Sequence, residues 1–222
     1  MERPVRPHEV DTLKHIALRG GLSEYVTMSS KELGRALGMS QQSASQRILE
    51  LLNDGLVQRD LASRRQGVKI SAKGVDVLRK EFADYQRIFE VRGKLTIAGR
   101  VTSGLGEGAF YMRQKGYKDQ FPRKLGFLPY EGTLNLKVSG ADLSKLTILW
   151  EEGGILIDGF EAEGRTFGGA KCFPARLKSI DCAVILPLRT HHTDNLEVIS
   201  REYLRGRLGL ADGDLVELTV PL

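Results

Sequence analysis

The stretch VTSGLGEGAFYMRQKGYKDQFPRKLGFLPYEGTLNL, residues 101–136, carries the features that decide the fold and the chemistry of this chain. An apolar run at 95–101 leads into it and predicts a β-strand. Three glycines then follow at every second position, Gly104, Gly106 and Gly108. Glycine tolerates positive φ, and successive backbone N–H groups in such a turn form a concave anion site. The loop is therefore a candidate for binding phosphate, although its spacing alone also fits a bulge or a tight turn.

The end of the same stretch supplies a candidate metal site. Thr133 and Asn135 lie two residues apart in GTLN, so on a strand both side chains point to one face. Hydroxyl and amide oxygens suit Mg²⁺ that also holds substrate phosphates, but no carboxylate lies next to them in the sequence. The glycine loop is neither a P-loop nor a dinucleotide fingerprint, since no Lys-Ser or Lys-Thr follows it and residues 110–116 show no clear helix opening.

The C-terminal third adds three motifs: RTHH at 189–192, LEVIS at 196–200 and EYLR at 202–205. In this order, and together with GLGEGA and GTLN, they resemble the archaeal CTP-dependent riboflavin kinases. The resemblance covers the chain from about 94 to 222. Residues 1–90 resemble the winged-helix domain that is fused to such kinases in the regulator form of the family.

The resemblance implies a phosphotransferase that converts riboflavin to FMN with CTP and Mg²⁺ or Mn²⁺. It places the metal on Thr133 and Asn135 and the flavin at Thr190 and Glu197. The nucleotide-binding candidates that it implies are Gly104, Leu105, Gly106, Glu107, Gly108, Ala109, Glu202, Tyr203, Leu204 and Arg205.

Glu197 is also a candidate catalytic residue on its own chemistry. It is a lone carboxylate in an apolar run, so it could orient or deprotonate the ribityl 5′-hydroxyl. The alternative is a glutamate on the wet face of a strand or helix. His191 and His192 are interpreted as loop residues near the flavin, because no third ligand is spaced for zinc.

The roles of two groups of side chains near the glycine loop stay open. The first is basic and fits either a solvated face or a lid that neutralises phosphate. The second is aromatic and fits either core packing or contact with the isoalloxazine ring. The basic residues are Lys115, Lys118, Arg123 and Lys124, and the aromatic ones are Phe110, Tyr111, Tyr117, Phe127 and Tyr130.

The N-terminal part predicts a helix-turn-helix. Apolar spacing predicts helices over 8–19, 30–37 and 41–53, with a capping box from Ser29 to Glu32 and a cap at Ser40. The third helix carries a polar face that suits base edges in the major groove, although a solvated face is the alternative. Its candidate DNA-binding residues are Gln41, Gln42, Ser45 and Gln46.

A β-hairpin wing follows this helix. Strands are predicted at 55–59 and 68–70, with Arg64 and Arg65 at the tip as further DNA-binding candidates. The order of elements resembles winged-helix regulators of the MarR type. A fourth helix then carries an apolar stripe, which fits either packing on its own domain or a homodimer contact. The stripe consists of Val75, Leu78, Phe82, Tyr85 and Phe89.

The second half reads as mostly β. Short strand-like runs between glycines are predicted at 94–101, 132–138, 146–150, 154–157, 182–187 and 214–220, with one helix near 201–208. The resemblance makes this a six-stranded cradle-loop β-barrel. We therefore expect an α+β protein of two domains, a winged helix-turn-helix at 1–92 and a kinase barrel at 93–222.

Composition sets the remaining limits. Residues 1–92 hold 16 Lys and Arg against 12 Asp and Glu, which mildly favours a nucleic-acid partner there. No membrane-length apolar run or signal region is present in the sequence, so a cytoplasmic protein is the expectation. Cys172 and Cys182 fit no zinc or redox spacing and are expected to be buried, reduced thiols.

The expected function is a riboflavin kinase that also binds double-stranded operator DNA and regulates riboflavin genes. The alternative is a pure winged-helix regulator whose inactive barrel senses a flavin or nucleotide.

Overall fold

The structure is a computed structural model that describes residues 4–60, 67–90, 93–104, 106–189 and 194–222. Its chain packs into two compact units, Met1–Asp84 and Tyr85–Leu222. This division falls inside a long helix, whereas the sequence predicts the domain limit after residue 92. The limits 1–92 and 93–222 stay a prediction.

The N-terminal unit is a small helical domain with a three-stranded antiparallel sheet of order β1-β3-β2. Its elements are α1 (Pro7–Leu18), β1 (Val26–Thr27), α2 (Ser30–Ala36), α3 (Gln41–Asn53), β2 (Val57–Arg59), β3 (Gly67–Ile70) and the first turns of α4 (Ala72–Phe89).

Local capping sets the helices of the helix-turn-helix. The Ser29 side chain accepts from the Glu32 backbone N–H and the Glu32 carboxylate accepts from the Ser29 backbone N–H, which is a complete capping box. Ser40 caps α3 in the same way, accepting from the Ser43 N–H at 3.1 Å. Ala44, Ile48 and Leu51 face the core, while Leu52 is half-buried. The predicted capping box of α2, the predicted helix α3 and its cap at Ser40 are confirmed.

The apolar stripe of α4 divides between two environments. Val75 and Leu78 pack on the core of the winged domain, which confirms the first interpretation for that part of the helix. Phe82, Tyr85 and Phe89 are exposed, the last by 74%. A homodimer contact there stays a prediction.

The C-terminal unit is built around a β-barrel. Its further elements are β4 (Lys94–Thr102), α5 (Glu107–Met112), α6 (Lys115–Lys118), α7 (Phe121–Leu125), β5 (Leu134–Lys137), a 3-10 turn (Gly140–Asp142), α8 (Leu143–Glu151), β6 (Ile155–Ile157), β7 (Phe160–Ala162), β8 (Arg165–Phe167), β9 (Ala170–Leu177), β10 (Ile180–Pro187), β11 (Asn195–Ile199), α9 (Leu204–Leu208) and β12 (Leu215–Pro221).

Six of these strands close a ring. The order β10-β11-β5-β4-β12-β9 returns to β10 through a long β9–β10 pairing, and every pairing in it is antiparallel. Closure leaves no free edge between these six strands. Strand β6 adds a short outer pairing to β9. The predicted six-stranded barrel and the α+β two-domain fold are confirmed.

The strands bury apolar residues on both faces in one sector of the barrel. Val101, Leu136 and Leu196 meet across three strands in the interior. On the outer face of β9 and β10, Cys172 and Ile185 pack with Phe121 of α7 in a second apolar cluster. This cluster is the reason that α5, α6 and α7 lie where they do.

Both cysteines are free, as the sequence predicts, and buried. Burial raises the pKa of Cys172 to about 12. Burial raises the pKa of Cys182 to about 12 as well. Cys172 belongs to the outer apolar cluster, whereas Cys182 lies on the same face as Val184.

The sequence predictions for this unit were wrong at residues 146–150 and at the glycine loop, and they omitted strands β7, β8, β9 and β11. Residues 146–150 form part of helix α8 rather than a strand, because a short apolar run does not distinguish the two. A helix, α5, opens at Glu107 where none was expected, because glycines stand at its N-cap and in its first turn and its length is only six residues. Strand β9 was not predicted, since Lys171, Pro174 and Arg176 interrupt its apolar pattern.

Among the described residues, none of the helices combines the length and apolar character that crossing a bilayer requires.

The first prediction concerns Gly99, which faces the barrel interior on β4. A Cβ at this position would lie 2.9 Å from the Leu136 Cβ, so there is no room for a methyl group. We expect Gly99→Ala to lower the free energy of unfolding by about 1–3 kcal/mol. Urea unfolding followed by the fluorescence of Trp150, the single tryptophan of the chain, measures this in the barrel unit.

Gly153→Ala is the matched control, because a Cβ at Gly153 meets no atom within 4 Å. Equal stability of both variants would contradict the inferred crowding of the β4–β5 interface.

Candidate functional site

The candidate site lies on the outer face of three neighbouring barrel strands. Thr102 of β4 is opposite Asn135 of β5, and Asn135 is opposite Glu197 of β11. The flanking Leu134 and Leu136 point into the barrel core, so period-two alternation directs the polar side chains outward. Three strands thus bring a hydroxyl, an amide and a carboxylate into one row.

The glycine-rich loop lies directly on this row. A Cβ at Gly104 would be 2.5 Å from Asn135 Nδ2, and one at Gly108 would be 2.3 Å from Thr133 Oγ1. Both glycines are therefore needed because the backbone approaches the two candidate metal ligands so closely. Gly106 has φ of 84°, in the left-handed region that favours glycine. Each of the three glycines has its own geometric reason.

The candidate metal ligands belong to a small amide network. Asn195 Nδ2 donates to Asn135 Oδ1 at 2.9 Å, and Asn135 Nδ2 is 3.5 Å from Thr133 Oγ1. The oxygen and nitrogen of an amide are assigned from such networks, so the Asn135 side chain can present either atom to Thr133. The two side chains fit a Mg²⁺ ion by their donor chemistry, since both offer neutral oxygens on one face.

Glu197 supplies the carboxylate that the sequence alone did not place beside this pair. Burial raises the pKa of Glu197, and the charge of Glu107 raises it further, while a hydrogen bond from Thr133 acts in the opposite direction. Glu197 is thus close to a candidate metal ligand and holds its proton to a higher pH than an exposed glutamate does.

Two cavities meet at Glu107, Gly108 and Glu197. One, of about 550 Å³, is polar and runs along the glycine loop and the row of strand residues from Thr102 to Asn195. The other, of about 210 Å³, is lined by Tyr111, Met112, Tyr117, Thr166, Gly168, Gly169 and Arg189 among others. The two cavities therefore share one wall that contains both carboxylates, and the second cavity is the more apolar of the two.

A third, smaller cavity also borders Thr133. It is lined by Tyr130, Gly132 and the predicted segment Glu202, Tyr203, Leu204 and Arg205. The rings of Tyr130 and Tyr203 lie 5.2 Å apart between centroids. The structure thus brings the glycine loop, the metal candidates and the EYLR segment around Thr133.

Two of the four basic candidates form ion pairs at the protein surface. Lys118 pairs with Glu131 at 2.5 Å, and Lys124 pairs with Asp158 at 2.6 Å. Of the aromatic candidates, Tyr117 is buried and donates to the Gly168 carbonyl, which confirms core packing for that residue.

In the winged domain, the polar face of α3 is presented to solvent. Gln41, Gln42 and Gln46 are exposed, whereas the Ser45 hydroxyl lies 2.8 Å from the Ser30 hydroxyl on α2. Three of the four DNA-binding candidates on this helix are therefore accessible, and Ser45 is engaged between the two helices.

Several predicted residues lie outside the part of the chain that the structure describes. They are Leu105 of the glycine loop, Thr190, His191, His192, and the wing residues Arg64 and Arg65.

Other residues at the site were missed by the sequence reasoning. Asn195 hydrogen-bonds Asn135, and Lys137 lines the polar cavity while paired with Asp194 at 2.5 Å. Each lies two positions from a predicted residue on the same strand, so the period-two pattern could have identified both.

Two family models match this chain. Residues 101–220 match the family CTP-dep_RFKase, whose description reads "Domain of unknown function DUF120". Residues 4–66 match the MarR family.

Curated relatives match over nearly the whole chain. A riboflavin kinase of Archaeoglobus fulgidus is 45% identical over 214 residues, which is 96% of this chain and 92% of the relative. One of Thermoplasma acidophilum is 45% identical over 94% of both chains, and one of Methanospirillum hungatei is 44% identical over 98% of this chain and all of its own.

The second prediction tests the environment of Glu197 through stability. A carboxyl whose folded pKa is raised favours folding below its unfolded pKa, near 4.5, and loses that contribution as the pH rises through the folded value. We therefore expect Glu197→Gln to raise the free energy of unfolding above wild type at neutral pH, with the difference vanishing at acid pH. Urea unfolding at a series of pH values measures it.

Glu131→Gln is the control of opposite sign. The hydrogen bond from Lys118 and then its charge lower the pKa of Glu131, so this carboxylate favours folding at neutral pH and its loss destabilises. A Glu197→Gln protein less stable than wild type at neutral pH would contradict the inferred desolvation.

Proposed function

The chain belongs to the CTP-dependent riboflavin kinase family and carries an N-terminal MarR-family domain, and from this premise we propose how its residues carry out the two activities. The enzyme transfers a phosphoryl group from a nucleotide to riboflavin and releases FMN. The observation that carries this assignment is the contact of Gly104 and Gly108 with Asn135 and Thr133, beside Glu197.

We propose that the polar cavity holds the triphosphate of CTP. Backbone N–H groups of the glycine loop, residues 104–109, bind the phosphates in this proposal, and Thr133 and Asn135, which line the same cavity, would hold Mg²⁺ or Mn²⁺. The metal supplies charge neutralisation on the transferring phosphate. Lys137 lines the same cavity, where its ammonium group is paired with Asp194.

We propose that the apolar cavity receives the flavin. It is the less polar of the two cavities that meet at Glu197, and Tyr111 and Arg189 line it. A flavin in this cavity presents its ribityl chain toward Glu197 and the phosphates. Thr190, which directly follows Arg189, is the second flavin contact in this proposal.

Glu197 then accepts the proton of the ribityl 5′-hydroxyl. Its raised pKa makes it a stronger base than an exposed carboxylate, and its position opposite Asn135 places it next to the proposed metal. Glu197 thus takes the proton next to the residues that would hold the metal.

The cytidine base is assigned to the cavity between Tyr130 and the EYLR segment. Backbone groups of Glu202, Tyr203, Leu204 and Arg205 read the edge of the base in this proposal, and Tyr203 offers a ring surface. Selection of CTP over ATP would then come from the hydrogen bonds between these backbone groups and the edge of the base, since cytosine and adenine present different donors and acceptors.

The third prediction tests the kinase site. We expect Thr133→Ala and Asn135→Ala each to lower kcat for FMN formation by roughly a hundredfold, because each removes a proposed oxygen ligand of the metal. Purified full-length protein is incubated with riboflavin, Mg²⁺ and either CTP or ATP, and the flavins are separated by chromatography.

Thr219→Ala, on β12 away from the cavities, is the matched control and should retain wild-type turnover. Folded wild-type protein that yields no FMN with CTP would overturn the kinase assignment. Full activity in Thr133→Ala would overturn the metal assignment alone.

We propose that the winged domain binds operator DNA of riboflavin genes through α3. Gln41, Gln42 and Gln46 are exposed on this helix, and such side chains donate to and accept from adenine in the major groove. The wing residues Arg64 and Arg65 contribute phosphate contacts in this proposal. A homodimer would read a palindromic site, in keeping with the exposed apolar residues of α4.

The fourth prediction tests this reading helix. A pool of random duplex DNA is enriched for fragments that the full chain retains, and the affinity of the enriched site is then measured at several salt concentrations. We expect Gln46→Ala to weaken this site by about 5- to 100-fold and to leave the salt dependence unchanged, because an uncharged base contact is lost.

Gln114→Ala in the barrel unit is the control and should bind as wild type does. Enrichment of no sequence, or an unchanged affinity in Gln46→Ala, would contradict the proposed role of α3.

A further inference from the structure

The guanidinium of Arg205 is already engaged on the barrel side of α9. Its Nη2 donates to the backbone carbonyl of Thr102 at 2.6 Å and lies 2.7 Å from Asp212 Oδ1. Thr102 is the last residue of β4, immediately before the glycine loop. A residue of the EYLR segment therefore holds the point at which the strand becomes the loop.

Asp212 bridges this arginine to the loop itself. Its second oxygen, Oδ2, accepts from the Ser103 hydroxyl at 2.7 Å. The hydrogen bond from Ser103 and then that from Arg205 lower the pKa of Asp212, so the carboxylate is ionised at neutral pH. One aspartate thus binds both α9 and the first residue of the glycine loop.

Backbone hydrogen bonds to β4 fix the turn that carries Asp212. The Gly213 N–H donates to the Val101 carbonyl at 2.8 Å, and the Val101 N–H donates to the Asp214 carbonyl at 2.9 Å. Asp214 Oδ2 also accepts from the Ala211 N–H at 2.8 Å. The Asp212 carboxylate is therefore presented from a turn that is anchored to β4.

We propose that Ser103, Arg205 and Asp212 form a brace that fixes the glycine loop relative to the cytidine-binding segment. The inference rests on the proposed function of both segments and deepens it. Ser103 and Asp212 are then positioning residues for CTP, since they act through the loop backbone and Arg205. The brace thus connects the EYLR segment, which binds the base in the proposed function, to the glycine loop, which binds the phosphates.

The geometry also decides how Arg205 contributes. Both of its described partners, the Thr102 carbonyl and Asp212, lie at the start of the loop, so its charge is balanced within the protein. It orders the loop that binds the phosphates. Loss of the brace lets the loop and the EYLR segment move independently, which weakens the binding of a ligand that spans both.

The fifth prediction is that Asp212→Asn changes the KM for CTP and leaves the other kinetic constants nearly unchanged. We expect the KM for CTP to rise about three- to tenfold, while the KM for riboflavin and kcat at saturating CTP stay within about twofold of wild type. Ser103→Ala should show the same pattern to a smaller extent. In a double-mutant cycle, the effects of Asp212→Asn and Ser103→Ala should be less than additive, because both substitutions disrupt the same hydrogen bond between these two residues.

Two variants separate positioning from a general loss of structure. Asp212→Glu, which keeps the carboxylate, should recover much of the affinity for CTP. Asp181→Asn breaks an exposed ion pair with Arg176 in the β9–β10 hairpin and should leave all constants unchanged. The Trp150 unfolding transition verifies that each protein is folded.

The outcomes distinguish the brace from the kinase assignment. Wild-type protein that forms FMN, with Asp212→Asn and Ser103→Ala at the wild-type KM for CTP, would overturn the brace alone. A fall in kcat without a change in KM would overturn it as well. Absence of FMN from wild type would instead remove the kinase assignment on which the brace rests.

Discussion

The barrel unit depends on one constraint, the closure of six antiparallel strands through the pairing of β9 with both β10 and β12. Closure fixes the register of every strand in the ring, and register decides which side chains point inward. The apolar set fills the interior, so Asn135 and Glu197 are left together on the outer face. A shift of β11 by one residue would bury Glu197 in the interior and bring Leu196 to the candidate site.

The candidate site depends on two glycines of the loop, because any larger side chain there would collide with the strand residues. Gly104 and Gly108 leave no space between the loop backbone and the polar row of the strands, so the loop can cover the candidate ligands without displacing them. The aromatic and apolar residues of α5, α6 and α7 close the outer cluster beneath the second cavity. The packing of α5, α6 and α7 against the barrel therefore sets the shape of the second cavity, which Glu197 also lines.

Much of this arrangement was readable from the sequence, and the limits have physical causes. The caps at Ser29 and Ser40, helix α3, and the pairing of Thr133 with Asn135 follow from local spacing. Local spacing did not reveal the neighbour across the sheet: Asn195 and the Glu197 carboxylate reach this pair only through the register of β11. The link between Arg205 and Asp212 depends on side-chain geometry at the end of β4, which no motif encodes.

The burial of both cysteines bears on how the molecule can be studied. Their thiols are protonated at neutral pH and enclosed by the barrel and its outer layer, so they react slowly with maleimides and with oxidants. A cysteine introduced at an exposed position of α3 would therefore be labelled selectively in an otherwise native background. Fluorophores or spin labels can be attached to the winged domain while the barrel keeps its own sulfur chemistry intact.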